Sequence, residues 1–104
     1  MSAKQVIADY YRAWIDGDRD KARSLLADSL KFRSPSDNYD SADEFFDCCW
    51  KYSEGFNEMP MLHEDYGTDS GYIAYRIGDM ANGEFIRTRD GKIDEIYVTF
   101  NVTT

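Results

Sequence analysis

A chain of 104 residues has room for one domain, residues 1–104, and buries roughly 60–70% of its unfolded surface, enough for a core without staples. Eight Tyr, six Phe and two Trp against two Pro exclude a disordered chain. The net charge of −8 repels nucleic acid and anionic membranes, so neither is an expected partner.

Cysteine usage narrows the chemistry further. The two cysteines are neighbours, Cys48 and Cys49, and adjacent residues close too small a ring for a relaxed disulfide. There is no CxxC spacing, and His63 is the lone histidine, so no metal site and no cofactor are expected. The lack of a disulfide framework points to a reducing compartment. MSAKQVIADYY has no apolar signal core, and nothing approaches a membrane span. The expectation is a cytoplasmic protein.

In chain order, Ser2-Ala3-Lys4-Gln5 fits a capping box and predicts a helix. Ala3, Val6, Ile7, Tyr10, Ala13 and Trp14 form its apolar stripe, and Gly17 stops it. Asp18 caps a shorter helix with Ala22, Leu25 and Leu26 on its buried side. Leu30 to Arg33 reads as a strand, and Ser34-Pro35-Ser36-Asp37-Asn38 as a loop. Ser41-Ala42-Asp43-Glu44 is a second capping box, opening a helix that runs to Ser53 or Gly55 with Phe45, Phe46 and Cys49 inward.

From Met59 the period becomes two. Met59 to Tyr66 and Tyr72 to Gly78 read as strands, with a turn over Asp79 to Gly83. Gly83 to Asn101 then forms a hairpin about Asp90-Gly91, a dipeptide suited to two successive positive φ angles. Strict alternation places Ile96, Val98, Phe100 and Val102 on one face, and Ile93 and Tyr97 on the other. Glu84, Ile86 and Thr88 share a face of the preceding strand, which aims a carboxylate at the core. Helices first and a meander after them give an α+β class: one curved antiparallel sheet with three N-terminal helices on its concave face.

The order YYRAWIDGD, ARSLLADSL, a strand into RSP, a capped helix, and a meander ending EFIRTRDGKIDEIYVTFN resembles the nuclear transport factor 2-like superfamily. The SnoaL-like branch, which groups polyketide cyclases and ketosteroid isomerase relatives, is the most similar. The resemblance implies a cone with its mouth between helices and sheet, and frequent homodimers through the outer sheet face. It also implies a Tyr in the first helix, matched by Tyr10, and an acid before the last hairpin turn, matched by Glu84. The family's base, an Asp before a Pro, falls on Ser34, and a serine cannot abstract a carbon-bound proton unaided. Isomerase activity of that type is therefore not expected.

The candidate catalytic pair is thus Glu84 with Tyr10. A carboxyl among Ile86, Ile96, Val98 and Phe100 is desolvated, keeps its proton and can donate to a substrate oxygen. The plainer alternative is a buried Glu satisfied by Tyr10 or Arg76. Trp14, Ser34, Phe46, Trp50, His63, Ile86, Val98 and Phe100 are the candidate lining of a pocket for a small, largely apolar molecule. The same aromatics at helical spacing also read as ordinary core, and His63 as a packed residue. Phe85, Arg87, Arg89 and Tyr97 mark the outer face on which a homodimer is expected. A non-catalytic dimeric binding or scaffold module is the alternative function.

Overall fold

The computed structural model describes residues 2–56 and 58–103. Its elements are α1 (Ala3–Asp16), α2 (Arg19–Ser24), β1 (Leu26–Arg33), β2 (Asn38–Tyr39), α3 (Ala42–Cys49), a 3-10 helix (Trp50–Gly55), β3 (Met61–Tyr66), β4 (Ser70–Ile77), β5 (Met80–Arg89) and β6 (Lys92–Thr103). The helices begin where the caps predict. Ser2 accepts from Gln5 N, Asp18 from Lys21 N, and Ser41 from Glu44 N. Each side chain satisfies an amide that the first helical turn leaves unpaired. Gly17 ends α1 in the left-handed region, its N–H bonding back to Ala13 and Trp14.

Six strands form one sheet in the order β2-β1-β6-β5-β4-β3. The β3 to β6 meander is antiparallel as expected. The sheet as a whole is mixed, because β1 lies parallel to β6. β1 also starts earlier than expected. Leu26 belongs to the strand rather than to α2, pairing with Ile93 while Ile93 N donates to Leu25 O. Tertiary pairing with β6 overrides the helical spacing of Leu25 and Leu26. The third helix gives way to a 3-10 turn at Trp50, a common tightening at helix ends.

The two hairpin turns beside β5 are set by glycine. Asp90 and Gly91 both take positive φ, 54° and 76°. Gly78 takes φ 59° at the first position of a two-residue turn, so β5 begins at Met80 and the expected turn over Asp79 to Gly83 is mostly strand.

Two bulges between β5 and β6 decide which side chains face inward. Glu84 opposes Val98 while Gly83 opposes Phe100, leaving Thr99 as the extra residue. Arg87 opposes Glu95 while Thr88 opposes Ile93, leaving Asp94 extra. Each extra residue inverts the alternation beyond it. Ile93 therefore turns into the core and is fully buried. Phe100 turns out with Gly83, and Val102 is exposed.

The core lies between this sheet and the α1 stripe Val6, Ile7, Tyr10 and Trp14, with Leu30, Phe45, Phe46, Ile73, Ile86 and Ile96. Phe32 of β1 stacks on Phe45 of α3 at 4.5 Å between ring centroids, which fixes that helix over the first strand. No helix among the described residues is long and apolar enough to cross a membrane.

Candidate functional site

β5 presents an inward row that runs from the closed end of the sheet to its open end: Ile86, Glu84, Asn82, Met80. Ile86 is fully buried, Glu84 and Asn82 are 5% and 6% exposed, and Met80 is half-buried. Alternation explains the row, and the cross-strand neighbours explain its chemistry. Glu84 lies between Ile73 and Val98, and Asn82 between Tyr75 and Asn101.

Helix α1 crosses this face. Its Tyr11 hydroxyl donates to Glu84 Oε1 at 2.8 Å, and the Tyr75 hydroxyl from β4 donates to Glu84 Oε2. No ion pair reaches Glu84 among the described residues, so its carboxyl is held by phenols alone. Burial pushes the Glu84 carboxyl above its ordinary value, and the two phenol hydrogen bonds pull it partly back. Burial likewise raises Tyr11 and Tyr75 well above the ordinary phenol value, and the neighbouring carboxylate adds to the rise.

Tyr10 is not the partner of Glu84. Its ring is buried against Tyr11 and Trp14, at centroid distances of 4.9 and 6.3 Å. Consecutive helical residues project about 100° apart, so only one of Tyr10 and Tyr11 can meet the carboxyl, and it is Tyr11. Tyr11 is not part of the apolar stripe that helical spacing predicts for α1, so the sequence pattern alone did not single it out. Tyr75 was legible only as a strand residue.

The Glu84 cluster opens onto a cavity of about 830 Å³ between α1, the 3-10 helix, the Ser34–Asp37 loop and the sheet. Tyr10, Trp14, Ser34, Glu84 and Val98 line it. Phe46, Trp50, Ile86, His63 and Phe100 do not. Phe46 and Trp50 stack on each other at 5.4 Å behind Trp14, as core. Ile86 lies sealed beneath Glu84. A register shift between Met61 and His63 turns His63 onto the outer face, where it is exposed and 6.4 Å from the Tyr72 ring. Phe100 covers Gly83 on that same outer face, where an added Cβ would strike its ring and the Tyr72 hydroxyl.

Ser34 borders the cavity, but its hydroxyl serves the loop. It donates to Asp37 O and accepts from the amides of Ser36 and Asp37. Asn82 and Asn101 were missed because strict alternation puts Asn101 on the outer face, and only the Thr99 bulge brings it in. Among the described residues no group of three or more His, Cys, Asp or Glu could hold a metal ion.

No family model and no curated protein matches the chain. Solved structures do. An NTF2-like protein of unknown function from Cytophaga hutchinsonii ATCC 33406 superposes with a TM-score of 0.77 at 12% identity, covering 96% of this chain and 90% of its own. This chain has the nuclear transport factor 2-like fold. Other structural neighbours span different origins. IdmH from Streptomyces antibioticus, proposed to be a polyketide cyclase, matches with a TM-score of 0.78 at 16% identity over 97% of this chain and 92% of its own. A de novo designed protein with a curved β-sheet matches at 0.79 with 9% identity, over 92% and 82%. Likeness at such low identity is a likeness of fold alone, so function must be argued from the site.

Proposed function

We propose that the cavity binds a small, largely apolar molecule, anchored at its floor through an oxygen that meets the Glu84, Tyr11 and Tyr75 cluster. One observation carries this reading. A carboxyl 5% exposed, held by two phenols and no cation, borders a large aromatic-lined space. A structural carboxyl would gain more from a cation or from backbone amides. Here desolvation shifts the carboxyl toward its protonated form, the form that can donate to a ligand oxygen. The fold neighbour proposed to be a polyketide cyclase supports a ligand of that general kind.

Weak acid–base chemistry follows from the same cluster, with Glu84 as donor and Tyr11, in place of Tyr10, as its phenol from the first helix. The base side is missing. Ser34 occupies that place, and its hydroxyl is held in the loop turn. That observation favours the second reading, a binding or scaffold module without turnover.

Carboxyl-carbon NMR of Glu84 across pH, with thermal shifts against sterols, naphthols and aromatic polyketide analogues, separates the two. A raised titration midpoint that moves on ligand addition is expected. An ordinary midpoint with no thermal response to any of these compounds would remove the ligand-binding reading.

A further inference from the structure

Two hydrogen-bonding side chains on the cavity wall are not used by the Glu84 cluster. The Trp14 indole lines the same wall but keeps its Nε1 buried beside the Tyr10 hydroxyl. Asn82 is 6% exposed, lines the cavity, and its side-chain amide makes no hydrogen bond within the described residues. Asn101, directly opposite Asn82 across the ladder, also lines the cavity; it is exposed, and its amide likewise makes no hydrogen bond within the described residues. A side chain as buried as Asn82 has little room for water, so its amide gains most from a partner that enters the cavity.

Their placement is orderly. Trp14 is one helical turn beyond Tyr10 and Tyr11, and packs on Trp50 and Phe56 at 4.6 and 5.1 Å. Asn82 is the next inward residue after Glu84 toward the open end of β5. Alternate strand residues stand about 6.7 Å apart, close to the span of one substituted aromatic ring.

The geometry points to a second polar subsite, formed by Asn82 and Asn101 beside the Trp14 ring, that reads a carboxamide or lactam on a neutral, planar, apolar ligand. This rests on the cavity being a binding site and adds what it selects. An asparagine amide shows a donor beside an acceptor, and a carboxamide or lactam shows the reverse pair. Anionic ligands are disfavoured, since Asp37 and Glu54 line the cavity against Lys51 alone among its described lining residues.

Three naphthalene probes test it: 6-hydroxy-2-naphthamide, 6-hydroxy-2-naphthoate and 2-naphthol, titrated by NMR into the full chain. The naphthamide is expected to bind tightest and the naphthoate weakest. Asn82→Leu, which keeps the volume, should weaken the naphthamide about tenfold, the worth of one hydrogen bond, and leave 2-naphthol unchanged. In the wild type the Asn82 side-chain amide protons should move downfield with the naphthamide and stay in place with 2-naphthol. Equal affinity for naphthamide and naphthol, or stationary Asn82 amide protons, overturns the subsite while leaving the cavity reading intact. No binding by any of the three overturns both. If Asn82→Leu does not fold, the wild-type ranking and the Asn82 amide protons decide.

Discussion

The Tyr11 hydroxyl donates to Glu84 across 73 positions of sequence, joining the first helix to the fifth strand at the floor of the cavity. With Tyr75 on the other carboxyl oxygen, Glu84 is a buried acid whose protonation state bears on stability.

Glu84→Gln is expected to stabilise the protein at neutral pH. Burial holds the native carboxyl above its ordinary value. Between the unfolded and native values the folded state keeps a proton that the unfolded chain has released, so wild-type stability falls as pH rises through that window. Glutamine removes this dependence and still offers one oxygen and one amide to the two phenols. Urea unfolding at pH 4 and pH 7.5 should show the variant gaining on wild type at the higher pH. A difference that is the same at both would sink the idea.

Removing the phenol hydroxyls separates Tyr11 and Tyr75 from Tyr10. Tyr11→Phe and Tyr75→Phe should each cost about 1–3 kcal/mol and raise the Glu84 titration midpoint further, since both hydrogen bonds favour the carboxylate. Tyr10→Phe should leave that midpoint close to wild type, because its hydroxyl does not bond Glu84. An equal rise in all three variants would contradict the assignment of Tyr11.

Gly83 is needed on the outer face. An added methyl there meets the Phe100 ring and the Tyr72 hydroxyl, which itself bonds Thr99 at 2.7 Å. Gly83→Ala should destabilise by about 1–3 kcal/mol, the usual cost of overpacking. Combining it with Phe100→Ala should recover part of the loss relative to the sum of the two single changes. Strict additivity in denaturant midpoints would mean that the two positions do not touch.

The outer sheet face is proposed as the contact between two copies. Phe85 and Tyr97 are half-buried there at 6.2 Å, beside Arg87, which is held by Asp94 and Glu95. Light scattering at micromolar protein should give twice the chain mass of 12.1 kDa, and Tyr97→Glu should halve it. A monomer at every concentration tested ends this proposal.

Much of the frame was legible from residues alone, because its signals are local. A serine or aspartate satisfies a helix's first amides wherever it stands, and Asp90-Gly91 turns a hairpin through its own φ preferences. An acid aimed inward at Glu84 followed from short-range alternation, and no bulge separates it from its inward neighbour Ile86. The parallel seat of β1, the choice of Tyr11 over Tyr10, and the inward turn of Ile93 and Asn101 were not legible. Each depends on register between segments far apart in the chain. A single extra residue at Thr99 or Asp94 reverses every side chain after it, and no propensity marks which residue will be extra. Composition and local stereochemistry thus determined that this chain would wrap helices over a sheet. Only the pairing of distant strands decided which polar groups share the space between them.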